Sequence, residues 1–203
     1  MPNLIAHYLC GKLICDKLKI ENKKQFLYGC IAPDYDKRIG HFKEQHGVLM
    51  TPNLENFMLD TDAFEDYEKG NFCHLALDKV FLEEYVPEEI CKGKEVSLEL
   101  FTPDNIYRDY SIVSKDLLEH FGSSLDEIVD VCKNKSNFNY EKFDKVISEI
   151  SACTGDEKLK HLDAKNFAAF IEKTAETVAK QIEQASNQKR LGGWLKNLNN
   201  KNK

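Results

Sequence analysis

Apolar residues recur every three to four positions along most of this chain. Leu4, Ile5, Tyr8, Leu9, Leu13, Ile14 and Leu18 fit a period of 3.6 and predict a helix over residues 4–18. A second, shorter helix is expected over residues 24–32, ended by Pro33, because the residue before a proline is pushed out of the α region. From Tyr35 to Thr51 the pattern lapses, and Gly40, Gly47 and the Thr51-Pro52 break predict loop. Asn53 is placed to cap a short helix carrying Leu54, Phe57, Met58 and Leu59. Asp62 is expected to open a long helix that runs to about Tyr85 and is stopped by Pro87.

Residues 88–102 fit neither period. Val96-Ser-Leu-Glu-Leu-Phe has the composition of a short strand, but a lone strand has no partner. Helical spacing returns over residues 103–121, closed by Gly122, and again over 124–133 and 140–150. It is strongest over residues 163–184, where Phe167, Phe170, Ile171, Ala175, Val178, Ala179 and Ile182 share one side. The pattern therefore predicts an all-α fold: one multi-helix domain over residues 1–186, followed by a basic tail, 187–203. The tail holds Lys189, Arg190, Lys196, Lys201 and Lys203 and no acid, with Leu191, Trp194, Leu195 and Leu198 at helical spacing after Gly192-Gly193. It reads either as a frayed, solvated end or as a basic amphipathic segment making weak contact with an anionic membrane or a partner.

Composition narrows the function classes. A net charge of −6 argues against nucleic-acid binding, which favours a basic domain. No apolar run approaches the roughly 20 residues of a membrane span. No basic-then-apolar start suggests a secretory signal. Cys10, Cys15, Cys30, Cys73, Cys91, Cys132 and Cys153 are odd in number and scattered, so they are expected to be reduced thiols in a cytoplasmic protein.

The chemistry is concentrated near the start. Of six histidines, His7, His41, His46 and His74 fall within the first 78 residues, with Asp34 and Asp78 among them. His74 and Asp78 are four apart, one turn along a single helix face. Imidazoles and carboxylates converging on one point are what a zinc or similar divalent site needs. Each residue also has a plainer reading: a core or surface histidine, a turn aspartate after Pro33, a buried His–Asp hydrogen bond. A metal would satisfy His74 and Asp78 together and account for His7 and Asp34 as well.

The order and spacing of these residues resemble the zinc-dependent phospholipase C family, which includes bacterial phosphatidylcholine-cleaving enzymes and the catalytic domain of clostridial alpha-toxins. The resemblance rests on His7 in an N-terminal helix after Met-Pro, on Gly29-x-x-x-Pro33-Asp34, on a histidine soon after, and on Gly70-x-x-x-His74-x-x-x-Asp78. It covers roughly the first 85 residues. It implies an all-helical fold of the phospholipase C/P1 nuclease type, one or two zinc ions, and Asp78 bridging two metals. One metal would also be held by His7, the other by Asp34, His74 and either His41 or His46, with Gly40-His41-Phe42 the closer match to the family's segment. Asp34 would ligate a metal and orient the attacking water. The family's remaining metal is held by two histidines and a glutamate beyond the bridging aspartate; here no histidine follows Asp78 until His120, and Glu83 and Glu84 stand nearby.

A second feature is Ile106-Tyr-Arg-Asp-Tyr-Ser, in which Arg108 could clamp a substrate phosphate and Asp109 could support a ligand histidine; the plainer reading is a surface ion pair. The expected protein is a cytoplasmic zinc-dependent phosphoesterase-like hydrolase acting on a phospholipid or other phosphate ester. The alternatives are a metal-stabilised scaffold that has lost the chemistry, and an all-α binding module whose His/Asp pairs are core hydrogen bonds.

Overall fold

Helix α1 (Leu4–Lys17) is the centre of the molecule. Its side chains are buried on nearly every side from Leu4 to Gly11, as in a helix surrounded by others. Asn3 caps it by accepting the Ala6 N–H at 3.0 Å. Around it pack α2 (Lys23–Tyr35), α4 (Asp66–Val80), α5 (Ile106–His120) and the long α8 (Ala164–Lys201). The structure, a computed structural model, describes residues 2–36, 38–154 and 157–201, with side chains through residue 189. Among these residues the fold is all-helical apart from one two-stranded hairpin.

Helices α2 and α4 touch backbone to backbone. A Cβ on Gly29 would collide with the Tyr67 carbonyl, and one on Gly70 with the Phe26 carbonyl. The two glycines of the motifs thus permit a crossing that no larger residue allows. Helix α2 does not stop before Pro33 as expected; it continues to Tyr35 with Pro33 inside it. A proline this near a helix end forfeits only its own bond to the Gly29 carbonyl, and the Asp36 N–H closes the last turn on Ala32 at 2.7 Å.

The stretch expected to be loop contains an antiparallel hairpin, β1 (Lys43–His46) with β2 (Leu49–Pro52). Gly47, at φ +60°, supplies the left-handed position of its two-residue turn. The Lys-Glu-Gln-His strand is polar and mostly exposed, so it shows no alternation to read. Asn53 caps α3 (Leu54–Asp60) as expected, accepting the Asn56 N–H.

Helix α4 begins at Asp66, four residues later than expected, and Pro87 does not stop it. Beyond Val80 the winding widens into a π-helix, Phe81–Ile90, in which the Cys91 N–H donates to the Val86 carbonyl five residues back at 2.8 Å. The wider turn carries the chain past a residue that has no N–H to give. Val96-Ser-Leu-Glu-Leu-Phe forms no strand; it holds a short 3₁₀ turn, Leu98–Leu100.

Helices α5, α6 (Leu125–Cys132) and α7 (Tyr140–Ala152) follow the predicted spans closely, and Ser124 and Asn139 cap α6 and α7. Helix α8 runs through residue 187 to Lys201 without a break. Lys189 donates to the carbonyls of Met58, at 2.7 Å, and Thr61, tying α8 to the end of α3. The side chains of residues 190–203, on which the amphipathic reading of the tail rests (Arg190, Leu191, Trp194, Leu195, Lys196, Leu198), lie outside the described residues. No described helix is long and apolar enough to cross a membrane.

Candidate metal centre

Three helices and one loop deliver the candidate ligands to one place. His7 comes from the second turn of α1, Asp34 from the last turn of α2, His41 from the loop before β1, and His74 and Asp78 from successive turns of α4. The extra turn of α2 past Pro33 and the Gly29–Gly70 contact bring Asp34 to His74.

The donor atoms form a connected set. Asp78 Oδ1 lies 3.3 Å from His7 Nε2, and Asp78 Oδ2 lies 3.5 Å from His74 Nε2. Asp34 Oδ1 lies 4.0 Å from His74 Nε2 and 3.6 Å from His41 Nε2. The His7 and His74 rings stack, with centroids 3.8 Å apart, and His41 meets His74 edge-on at 5.4 Å. His7, His74 and Asp78 are sealed from solvent, while the side chains of Asp34 and His41 each keep 16% exposure, so the centre opens on their side.

Hydrogen bonding prepares the histidine for ligation. His74 Nδ1–H donates to the Cys30 carbonyl at 2.9 Å, which fixes the tautomer and leaves the Nε2 lone pair facing Asp78 and Asp34. His7 Nε2, His41 Nε2, His74 Nε2 and both oxygens of Asp78 are buried and make no hydrogen bond within the protein. That argues against the plainer reading of these pairs as core hydrogen bonds, since buried polar groups are normally satisfied.

The electrostatics follow from burial and proximity. Burial lifts the Asp34 and Asp78 carboxyls toward neutrality, but the histidines around them prevail and hold both below the usual carboxylate range. Burial drives the His7 pKa down, helped by His74. For His74 burial also acts downward, yet Asp78 and Asp34 outweigh it and hold the pKa above its ordinary 6.5. Two carboxylates are packed against three imidazoles, two of them fully buried, an arrangement that a divalent cation would relieve.

The residues fit zinc. Ligand bonds of about 2.0–2.2 Å in a tetrahedron put donor atoms roughly 3.3 Å apart. His41, Asp34, His74 and Asp78 Oδ2 form a chain of neighbours at spacings of 3.5–4.0 Å. His7 sits on the other oxygen of Asp78. Among the described residues, two groups of three have donor atoms all within 4.8 Å of one another: His7, His74 and Asp78, and Asp34, His41 and His74.

The structure brings together five of the six expected ligands. His46 is on the end of β1, 59% exposed at its side chain and 3.9 Å from Glu83, away from the set. Arg108 is turned toward the connection between α7 and α8, where Nη1 donates to the Lys158 carbonyl at 2.9 Å. Asp109 supports no histidine ring: it is fully buried and accepts the backbone N–H groups of Lys160, His161 and Leu162. Glu83 is engaged by Lys79 at 2.8 Å and Thr51 at 2.7 Å.

Sequence reasoning passed over Tyr107 and Tyr110 on α5, whose phenol pKa values burial raises and the carboxylates of Asp34 and Asp78 raise further, because tyrosines at helical spacing read as core. Their only signal was their place beside Arg108 and Asp109. No family model matches this chain, and neither a curated protein nor a solved structure matches it.

Proposed function

We propose that this chain is a zinc-dependent phosphate-ester hydrolase of the phospholipase C/P1 nuclease type, working in a reducing compartment such as the cytoplasm. The observation that carries this is the connected donor set, with Asp78 joined through one oxygen to His7 and through the other to His74. Support for the compartment comes from the cysteines, all seven of which are free.

Bound zinc would supply Lewis-acid stabilisation of phosphoryl oxygens and a water of lowered pKa. The protein's own part is to hold and orient. Asp34 stays ionised at neutral pH, so it acts as ligand and as hydrogen-bond acceptor for the attacking water, on the side where the centre opens. His74 is kept in one tautomer by the Cys30 carbonyl, and Asp78 is held dry between two imidazoles. The substrate is a phosphate ester, either a phospholipid or a soluble ester.

Metal analysis of the purified chain, with turnover of bis-p-nitrophenyl phosphate, tests this. The expected result is one to two zinc equivalents and zinc-dependent hydrolysis; well under one equivalent, with no metal-dependent thermal shift, would sink it. His74→Ala should weaken zinc binding by more than the roughly 10–100-fold that losing an outer partner costs. It should also destabilise the metal-free fold, on the order of 3–5 kcal/mol at most, because buried Asp78 loses one of its two imidazoles and keeps His7.

One observation favours a second reading, a metal-stabilised scaffold without turnover. Glu83, one of the two glutamates that follow Asp78 where the family carries further ligands, is held by Lys79 and Thr51. Zinc binding at full stoichiometry without turnover of any phosphodiester or phosphomonoester would establish that reading.

A further inference from the structure

A cavity of about 330 Å³ opens between the π-helix Phe81–Ile90 and α8, and none of the residues lining it is a candidate metal ligand. On the π-helix side it is lined by Val80, Glu84, Tyr85, Glu88 and Glu89, positions four and five apart. A π turn, closed by i→i+5 bonds, stacks positions five apart, which an α turn rotates well away from each other. The winding that carries the chain past Pro87 therefore gathers three glutamates on one wall. The facing wall is α8, with Phe170, Lys173 and Thr174.

The floor holds two hydroxyls that the protein does not use. Tyr85 is 6% exposed and Thr174 3%. Neither hydroxyl makes a hydrogen bond within the protein, and neither oxygen is sealed, so each opens to the cavity that its residue lines. By contrast Thr177, on the rim, returns its hydroxyl to the Lys173 carbonyl at 3.3 Å. A hydroxyl so deeply buried is costly to leave unmatched, which favours a hydrogen-bonding group in the cavity. Beside these hydroxyls the Tyr85 and Phe170 rings, 4.5 Å apart, give the cavity an aromatic face.

The charges around it are also free. Glu84, Glu88, Glu89 and Lys173 form no ion pair among the described residues. Three carboxylates against one ammonium leave the cavity negative. The three do not make a group with oxygens all within 4.8 Å of one another, so their charge is too spread for a single metal ion. It suits positive charges that are themselves spaced along a chain. Aromatic faces attract ammonium groups and cover the methylenes between them.

We propose that this cavity binds an aliphatic polyamine. One ammonium donates to the hydroxyl oxygens of Tyr85 and Thr174, the methylenes lie on the Tyr85–Phe170 face, and the remaining charges meet the glutamates. The site is separate from the hydrolase reading and stands or falls without it.

Calorimetric titration of spermidine into the full chain, at about 0.1 M salt to screen distant charges, tests this. One equivalent should bind, and n-butylamine, with a single charge, should bind about 10-fold or more weakly. Tyr85→Phe keeps the ring and loses the hydroxyl; it should bind spermidine about 10–100-fold more weakly, the size of a hydrogen bond to a charged group. Thr174→Val should behave likewise, and it carries the test if Tyr85→Phe fails to fold. Glu84→Gln/Glu88→Gln should weaken binding roughly 2–30-fold. Glu55→Gln/Glu141→Gln, the same change of charge at exposed positions on α3 and α7, should leave it within about twofold. No saturable binding up to roughly 1 mM spermidine overturns the proposal. So does unaltered affinity in the hydroxyl variants, or butylamine binding as tightly as spermidine. Equal weakening in both glutamate pairs would mark attraction to the net negative charge alone, and displacement of spermidine by Mg2+ at matched ionic strength would mark a metal site; either overturns it too.

Discussion

His74 is the residue on which the centre turns. Its Nδ1–H is committed to the Cys30 carbonyl, so whatever meets Asp78 and Asp34 meets Nε2. A proton and the proposed metal would compete for that atom. Because Asp78 and Asp34 hold the His74 pKa above 6.5 in the fold, its contribution to the metal-free protein is fully present below about pH 6.5. It is lost as pH rises through the raised value. Zinc needs the neutral ring, so the dependence reverses when the ion is bound. The zinc-induced rise in Tm should therefore grow between pH 6 and pH 8; a rise that is flat or shrinks across that range would exclude His74 as a ligand. The carboxylates add an acid limit. With both pKa values depressed, Asp34 and Asp78 contribute stability above about pH 4 that is lost as pH falls through their folded values.

At this scale the sequence was informative where residue types are scarce. His7, Asp34, His74 and Asp78 stood out because imidazoles and carboxylates are rare on otherwise apolar helix turns. His41 and His46 could not be separated, because what separates them is the hairpin: His46 falls on β1, beside Glu83, and His41 falls before it. Tyr110 was illegible because its ring packs like any core aromatic and only its hydroxyl is unusual.

Between elements, two devices position the centre's surroundings. Asp109 accepts three consecutive backbone N–H groups and so fixes the chain entering α8 against α5. Asp109→Asn keeps the shape but loses the charge and part of the accepting capacity. It should cost on the order of 2–3 kcal/mol, measured by urea unfolding, with zinc affinity little changed. A loss of zinc affinity as large as that of His74→Ala would mean that Asp109 acts on the centre after all. The second device is the α2–α4 crossing. Gly70→Ala forces a methyl group onto the Phe26 carbonyl and should destabilise by about 1–3 kcal/mol while also weakening zinc binding, since α2 carries Asp34 and α4 carries His74.

Helices with an apolar stripe, such as α5, α6 and α7, were legible because one buried face imposes its period on the sequence. Both proline stops were misplaced for a shared reason. A proline removes one bond and one allowed register, and α2 near its end and α4 through π winding absorb that locally. The hairpin was missed because a mostly exposed strand leaves no hydrophobic signature.

For the whole molecule, metal held as proposed by residues from α1, α2, α4 and the loop before β1 would make metal binding and folding one equilibrium. Free zinc at a hundred times its dissociation constant should add about 2.7 kcal/mol. In a domain of this size that raises Tm by roughly 5–10 °C, reversed by a chelator. A melting curve indifferent to zinc and chelator would remove the centre from the account of stability. The all-helical class was visible in the periodicity; the convergence of four segments was legible only through the order and spacing of the His and Asp residues, because it depends on contacts distant in sequence.

The crossing at Gly29 and Gly70 has one more consequence. Where helices meet through side chains, the gap between them follows whichever residues fill it, and drifts as those residues are exchanged over generations. Here the gap is set by main-chain atoms, whose dimensions are the same in every protein. The separation of Asp34 from His74 is thus referred to a fixed standard, and the outer layers of this chain are free to diverge widely without detuning what lies inside.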